Sequence, residues 1–374
     1  MRVVVAPARF EAGLGAGQAA AAIETGLRRA RPDAEVLRVP VGDGGPGTLE
    51  ALLAAGFERV PVAATGPTGE PVAAAIAVDG ARAFVELAEA SGLARLPGGR
   101  PAPLEATTRG TGELLRAALD LGARRVVVGS GGGAAVDGGA GMAAALGARL
   151  LDRAGADLPP GGAALLRLDR VDRSGLDRRL AGVRVTVACD EDAPLVGPEG
   201  AAQAAGRRTG AGPDDVLLLD SAMRRYARVL ADGLGLDLAG TPGAGAGGGL
   251  GAGAVAFLGA ELRPGTELVL ELVGFERAVD GADLVVTGQG RLDARSLQAS
   301  APLGVARAAA GHGVPVVALA GAVEVANREL RAAGFEEGHA LGELELDPAR
   351  VLAEPGPLLE RLAERVGRAW ASLP

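Results

Sequence analysis

The sequence contains no lysine, since all 38 of its basic residues are arginines. Its one cysteine, Cys189, excludes an intrachain disulfide and indicates a reducing, cytoplasmic compartment. Tyrosine and tryptophan occur once each, so platforms of stacked aromatic rings for bases or sugars are not expected. No run of about 20 apolar residues is present, and the first apolar run is too short for a signal peptide. These absences argue against a membrane-spanning or disulfide-stabilised protein.

At 374 residues the chain is longer than one ordinary hydrophobic core supports, which predicts two domains. An apolar content of 48% and a charged content of 22% are typical of a globular protein. The net charge of −8 and the isoelectric point near 5.1 argue against a nucleic-acid partner. We therefore expect a small-molecule partner, with no nucleic acid and no membrane.

The stretch from Val126 to Met142 reads VVVGSGGGAAVDGGAGM, a β-branched run followed by a glycine-rich loop. Such a pattern indicates a buried strand that ends where backbone approaches a ligand closely. Exposed amides at Gly131, Gly132 and Gly133, with a helix starting after them, would form an anion cradle. In the alternative interpretation the glycines only let the strand and the helix pack closely. Asp137 is the only ionisable residue of this loop.

Strands and helices alternate along the rest of the chain, which predicts an α/β fold with a parallel sheet. Strands near residues 2, 35, 125, 282 and 314 are expected to form one five-stranded parallel sheet. Between residues 57 and 93, short apolar runs separated by turn sequences predict a more antiparallel module. The expected domains are 1–58, 106–155 and 276–374 for the discontinuous one, with 59–105 and 156–275 forming an inserted α/β domain.

Several sequence blocks follow one another in a specific order along the chain. They are ATGPTGEPV, E-x-A-x-A-S-G-L from Glu86, TTRGTGEL from Thr107, GGGAAVDGGAGM, ACDEDAPLVGPEGA from Ala188, GAGAGGGLGAG from Gly243 and TGQGRLDARSLQASAPLGVA from Thr287. In these blocks and their order, the whole chain resembles the bacterial type I glycerate kinase family. The resemblance implies a two-domain α/β fold with a discontinuous flavodoxin-like domain. It also implies phosphoryl transfer from ATP to D-glycerate or a related hydroxy acid, with Mg²⁺ and ATP as cofactors, and it leaves a homodimer open.

Charged and hydroxyl side chains in loops after predicted strands are the candidate site residues. Carboxylates in a glycine-lined cleft bind Mg²⁺ through water or act as a general base. We assign catalytic roles to Asp43, Asp137 and Asp190, and metal binding to Asp190 and Asp192. Substrate binding is assigned to Ser91, Thr107, Thr108, Arg291 and Asp293, and nucleotide or anion binding to Gly131, Gly132, Gly133 and Gly288. The alternative roles are helix caps, turn residues and ion pairs, such as Arg291 with Asp293.

The chain departs from the family pattern at positions where the family carries charged or polar side chains. The substituted positions are Ala8, Arg9, Glu11, Gly13, Pro46, Gly133, Ala135, Val136, Thr209, Gln289 and Ser300. Arginine-favouring codon bias does not explain Glu11, Thr209 or Ser300, where the family has lysine. A second hypothesis is therefore a scaffold redirected to ATP-independent acid–base chemistry, such as elimination, isomerisation or cyclisation. A third hypothesis is a non-catalytic binding protein.

Overall fold

A computed structural model describes residues 1–10, 13–189 and 191–370. Its strands are β1 (Arg2–Pro7), β2 (Glu35–Arg38), β3 (Glu58–Thr65), β4 (Pro71–Asp79), β5 (Arg82–Glu86), β6 (Arg125–Gly129), β7 (Arg149–Leu151), β8 (Arg170–Asp172), β9 (Arg184–Cys189), β10 (Glu261–Pro264), β11 (Leu284–Leu292), β12 (Val316–Val323) and β13 (Glu337–Ala340). Its α-helices are α1 (Ala16–Ala30), α2 (Thr48–Ala54), α3 (Leu87–Ser91), α4 (Arg109–Asp120), α5 (Ala140–Ala145), α6 (Ala201–Gly206), α7 (Pro213–Leu234), α8 (Ala246–Leu258), α9 (Gly265–Val273), α10 (Phe275–Val279), α11 (Ala301–Gly311), α12 (Asn327–Ala332), α13 (Pro348–Ala353) and α14 (Pro355–Ala369).

The first of two compact units comprises residues 1–43, 50–56 and 266–374. It contains a parallel sheet in the order β2-β1-β11-β12-β13, the order of flavodoxin-like folds. Along β1, Val3 and Val5 belong to one apolar cluster, and Val4 and Ala6 to another. Both faces of the sheet are therefore buried, as expected for parallel strands between helices.

Helices α1 and α14 pack together on one face of this sheet with their backbones in close approach. A Cβ added at Gly26 would lie 2.1 Å from the carbonyl oxygen of Glu360. The amphipathic helix predicted near the C-terminus is thus present as α14, and its own residues Leu359 and Leu362 are fully buried.

The second unit comprises residues 44–49 and 57–265 and contains a six-stranded sheet in the order β10-β9-β6-β5-β4-β3. Strands β3, β4 and β5 are antiparallel, which confirms the prediction for residues 57–93. Strands β5, β6, β9 and β10 are parallel. The short strands β7 and β8 form a separate antiparallel pair.

The expectation that the strand near residue 125 joins the first sheet is wrong. That strand is β6, and it pairs with β5 and β9 in the second sheet. Residues 106–155, which we expected in the discontinuous domain, accordingly lie in the second unit. The apolar sequence of β6 suits either buried sheet, so its partners depend on contacts with distant segments. None of the helices in the described ranges combines the length and the apolar character needed to cross a membrane.

Candidate functional site

Asp137 lies between β6 and α5 and is 1% exposed. Its carboxylate accepts hydrogen bonds from Thr108 N at 2.8 Å, Thr108 Oγ1 at 3.0 Å and Thr107 Oγ1 at 3.2 Å. It also accepts hydrogen bonds from Gly139 N at 3.0 Å and Gly141 N at 3.1 Å. The carboxylate therefore joins the segment before α4 to the first turn of α5.

The surroundings of Asp137 contain a second buried titratable group, Tyr226. Burial raises the pKa of the Asp137 carboxyl, while hydrogen bonds from Thr108, Gly141 and Gly139 oppose that rise. The Tyr226 ring packs beside Asp137, where a Cβ added at Gly138 would lie 2.6 Å from the ring. Burial and the charge of Asp137 raise the pKa of Tyr226, whose hydroxyl has no hydrogen-bond partner among the described residues. These contacts favour a structural role for Asp137, and its catalytic role stays a prediction.

Ser91, at the end of α3, is fully buried and holds the glycine-rich loop. Its hydroxyl accepts a hydrogen bond from Thr111 Oγ1 at 2.9 Å, and its carbonyl oxygen accepts one from Ala134 N at 2.9 Å. Leu93 N donates to Gly132 O at 3.0 Å. The hydroxyl of Ser91 is thus engaged within the protein, as are those of the two threonines that bind Asp137.

The glycines of the loop after β6 pack backbone against backbone with other segments. Gly131 N donates to Gly44 O at 3.2 Å, and Gly138 N donates to Gly248 O at 3.0 Å. A Cβ added at Gly248 would lie 2.0 Å from the carbonyl oxygen of Ala135. These contacts support close packing as one function of the glycines. Anion binding at Gly132 and Gly133 stays a prediction.

Glu86 is a buried carboxylate that our sequence assignment of the site did not include. It ends β5, is 3% exposed, and accepts hydrogen bonds from Leu49 N at 2.8 Å and Gly47 N at 3.2 Å. The Glu86 carboxylate therefore holds the DGGPGT loop at the start of α2. The sequence signal for this role was a carboxylate at the end of a predicted strand, in the E-x-A-x-A-S-G-L block.

Strand β11 in the first unit continues to Leu292, so the prediction that Arg291 lies in a loop is wrong. Gly288 also lies inside β11, where it pairs with Pro7 on one side and Leu319 on the other. Its carbonyl oxygen accepts a hydrogen bond from Ala8 N at 2.8 Å. The strand is longer than predicted because pairing with β12 continues beyond Gly288 to Leu292, after the pairing with β1 has ended. Gly288 thus serves sheet pairing, and anion binding there stays a prediction.

The Arg291 guanidinium forms an ion pair with Glu324. The Asp293 carboxylate accepts hydrogen bonds from Ser296 N and Ser296 Oγ, both at 2.9 Å, which lower its pKa, and the charge of Arg291 lowers it further. Gln289 Nε2 donates to Ser296 Oγ at 3.0 Å. Ser300 Oγ donates to Ser296 O at 2.8 Å and accepts from the first turn of α11 at 3.3 Å. Two departures from the family pattern, at positions 289 and 300, thus take part in one hydrogen-bond network.

Of the remaining predicted carboxylates, the structure describes only two. Asp43 and Asp192 are exposed, and Asp190 lies outside the described residues. Glu191 forms an ion pair with Arg208 at 3.0 Å. Within residues 1–10, 13–189 and 191–370, no three histidine, cysteine, aspartate or glutamate side chains gather into a possible metal site. Metal binding by Asp190 and Asp192 stays a prediction.

Four other positions that depart from the family pattern are buried. Their exposed fractions are 7% for Ala8, 2% for Ala135, 0% for Val136 and 1% for Thr209. Val136 packs in an apolar cluster with Val216 and Leu219. Thr209 Oγ1 donates to Gly206 O at 2.8 Å at the end of α6. An unpartnered polar or charged side chain introduced at these positions would be buried at a free-energy cost. Glu11 lies outside the described residues.

A cavity of about 300 Å³ in the second unit is lined by Thr107 and Gly141 beside the Asp137 network. Arg109 also lines it, and its guanidinium pairs with Glu113 at 3.2 Å. Asp157 lines the cavity too, and its carboxylate pairs with Arg149 at 2.9 Å. The cavity therefore combines apolar walls with two ion-paired side chains, Arg109 and Asp157.

Comparisons with known proteins give a consistent result. The model of the glycerate kinase family matches residues 3–371. A glycerate kinase of Bacillus subtilis (strain 168) is 46% identical over 326 residues, which cover 86% of this chain and 85% of that protein. A glycerate 2-kinase of Escherichia coli (strain K12) is 45% identical over 86% of each chain. A crystal structure from Salmonella typhimurium LT2, provisionally assigned as glycerate kinase 2, matches with a TM-score of 0.87 at 40% identity, over 100% of this chain and 98% of that one.

Proposed function

The chain belongs to the glycerate kinase family, and we propose that it transfers the γ-phosphoryl group of ATP to a hydroxyl group of D-glycerate or a related hydroxy acid. The observation that supports this proposal is the similarity to glycerate kinases at up to 46% identity, together with a fold match over the whole chain. No comparison favours ATP-independent acid–base chemistry. Location in the cytoplasm and a homodimer stay predictions.

ATP and Mg²⁺ are the cofactors that such a transfer requires. In phosphoryl-transfer sites Mg²⁺ keeps several waters and binds one or two carboxylates together with the phosphates. The exposed Asp192 supplies one such carboxylate in the ACDEDAPL block. When bound, Mg²⁺ would offset the negative charge that the transferring phosphoryl group carries. The protein contributes a fixed loop framework, in which Asp137 and Glu86 hold the neighbouring segments.

The hydroxy acid is placed in the cavity that Thr107 and Arg109 line. The Arg109 guanidinium is oriented by Glu113, whose carboxylate also accepts a hydrogen bond from Thr65 N at 2.7 Å. An arginine fixed in this way is suited to bind a carboxylate through two parallel hydrogen bonds. A cavity of about 300 Å³ accommodates a three-carbon acid with its hydration water.

The direct test is an enzyme-coupled assay of ADP release by the purified protein. We expect ADP release that requires D-glycerate, ATP and Mg²⁺ together, at a kcat in the range of about 1–100 s⁻¹ typical of kinases. Phosphorus NMR of the product identifies which hydroxyl group is phosphorylated. Absence of substrate-dependent ADP release with D-glycerate and with related hydroxy acids would reject the proposal.

Replacement of Arg109 with alanine tests the placement of the hydroxy acid. We expect the KM for D-glycerate to rise by about tenfold or more, since a charge-assisted contact is worth about 1.5–3 kcal/mol. The KM for ATP should stay nearly constant. Arg224 is a matched control, because it pairs with Asp220 four residues away at 2.7 Å and is similarly exposed. Equal KM values for D-glycerate in R109A and R224A would contradict this placement.

A further inference from the structure

The cavity that Thr107 and Arg109 line is larger and more apolar than D-glycerate requires. Its volume of about 300 Å³ is at the lower end of the range for pockets that hold drug-sized ligands, whereas D-glycerate is a three-carbon acid. Among the described residues that line it, only Thr107, Arg109 and Asp157 carry polar side chains. Binding of the acid group at Arg109 therefore leaves most of the lining without a function.

Two of these three polar side chains are engaged with other residues of the second unit. Thr107 Oγ1 donates to the Asp137 carboxylate at 3.2 Å and accepts a hydrogen bond from Arg109 N at 3.3 Å. The Asp157 carboxylate accepts two parallel hydrogen bonds from the Arg149 guanidinium, both at 2.9 Å, and they lower its pKa. An acid with two hydroxyl groups thus finds few polar partners in this cavity beyond Arg109.

The lining also contains an apolar wall, which we define as Ala144 of α5, Leu150 of β7, and Leu158, Pro159 and Pro160 of the segment that follows β7. The two prolines have no backbone N–H to offer a ligand. The amide of Leu158 is engaged as well, since it donates to Leu150 O at 2.9 Å. Water beside this wall is therefore held weakly, and its displacement by an apolar group would strengthen binding.

Much of the apolar wall is in contact with solvent. Ala144, Pro159 and Pro160 are exposed, and Leu158 is half-buried. The segment that carries Leu158 and the prolines is nevertheless held in place, by the paired hydrogen bonds of Asp157 and by the bond from Leu158 N. Because the wall is formed before a ligand arrives, an apolar group that covers it gains free energy from the area removed from water, with little opposing cost of ordering.

We propose that this cavity binds a hydroxy acid with an apolar substituent, such as a short alkyl chain, in preference to D-glycerate. This inference rests on the proposed function, which places the acid group at Arg109. The alkyl chain covers the apolar wall and replaces the water that would accompany D-glycerate there. Each methylene group that becomes buried should strengthen binding by about fourfold.

Calorimetry of the full chain with D-lactate, D-2-hydroxybutanoate and D-2-hydroxyhexanoate tests the proposal, because these acids differ only in the length of the alkyl chain. The titrations are made with and without Mg²⁺ and a non-hydrolysable ATP analogue. We expect the six-carbon acid to bind at least about tenfold more tightly than D-lactate and than D-glycerate. In Leu158→Ala, which shortens the apolar wall, this chain-length effect should fall by about threefold or more. The matched control is Leu217→Ala, which truncates a leucine of α7 that is 64% exposed, and its chain-length effect should be unchanged.

A second variant covers the case in which L158A does not fold. Ala144→Asp changes an exposed residue, so stability is kept, and its carboxylate on the apolar wall should remove most of the chain-length effect. No binding of these acids, binding that does not strengthen with chain length, or an unchanged effect in the folded variants would overturn the proposal even where glycerate-dependent ADP release is found. A chain-length effect that is lost in the variants, with no ADP release from any hydroxy acid, would reject the proposed function and leave the alkyl hydroxy acid site standing.

Discussion

The substitution Asp137→Ala is expected to lower the free energy of unfolding of the second unit by about 4 kcal/mol. Without the carboxylate, the buried backbone amides of Thr108 and Gly139 and the partly buried amide of Gly141 lose their acceptor. The carboxylate is 1% exposed, so water does not readily replace it. Tyr226, the one tyrosine of the chain, is fully buried next to Asp137 and reports on this unit. Urea unfolding followed by tyrosine absorbance therefore measures the effect.

Asp192→Ala is the control for this experiment, because it removes an exposed carboxylate from the same unit. Its free energy of unfolding should stay within about 0.5 kcal/mol of that of the unmodified protein. A shift in D137A no larger than that of D192A would show that the hydrogen bonds of Asp137 contribute little to stability. Loss of ADP release in a D137A protein that keeps its stability would instead support the predicted catalytic role.

The pH dependence of stability gives a further measurement on the same residue. Burial raises the pKa of Asp137 in the folded protein above its ordinary value of 3.8. Between these two pKa values the folded state binds more protons than the unfolded state, so the free energy of unfolding falls as the pH rises. The variant D137N lacks this contribution. The free energy of unfolding of the unmodified protein minus that of D137N should therefore fall with rising pH through this range and stay constant above it.

The elements of the fold follow from local patterns in the sequence. The apolar runs at β1, β11 and β12 have the length and flanking turn residues of buried strands, and the helices between them have the expected spacing. Membership of a sheet does not follow from such patterns. Strand β6 resembles the strands of the first sheet in composition, and only its pairing with β5 and β9 places it in the second. Pairing depends on contacts between distant segments, which one sequence does not display.

In the candidate site, too, local sequence patterns predict where a residue lies, whereas its hydrogen-bond partners are distant in the sequence. The sequence indicates that Asp137 sits in a glycine-rich loop after a strand, and the structure has it there. The donors to its carboxylate include Thr107 and Thr108, about 30 residues earlier in the chain, which no local pattern reveals. Glu86 was missed for the same reason, since its partners Gly47 and Leu49 lie almost 40 residues away.

The departures from the family pattern have a physical consequence for the proposed activity. Val136 and Ala135 are packed in the interior, and Gln289 and Ser300 both form hydrogen bonds with Ser296. The structure thus accommodates the residues that are present, and the proposed activity relies on other charged groups. Arg109, which is oriented by Glu113 beside a cavity, is one such group. Kinetic measurements on R109A therefore bear directly on how this chain performs the reaction of its family.

Replacement of Gly288 with alanine is expected to destabilise the first unit by more than about 4 kcal/mol or to prevent its folding. A Cβ at this position would lie 1.8 Å from the carbonyl oxygen of Leu319 in β12. Because Gly288 also pairs with Pro7, the strand is confined on both sides and has little freedom to move away. Trp370, the one tryptophan, packs against the apolar core of this unit, so its fluorescence reports the unfolding transition.

Two further glycines of the first unit make this experiment a graded series. A Cβ at Gly304 would lie 2.2 Å from the Thr266 side chain, which can rotate, so Gly304→Ala should cost about 1–3 kcal/mol. A Cβ at Gly311 meets nothing within 4 Å, so Gly311→Ala should be neutral or slightly stabilising at the end of α11. The expected order of stability is therefore G311A, then G304A, then G288A. A G288A protein as stable as G311A would show that β11 and β12 separate readily, contrary to the close pairing of these strands.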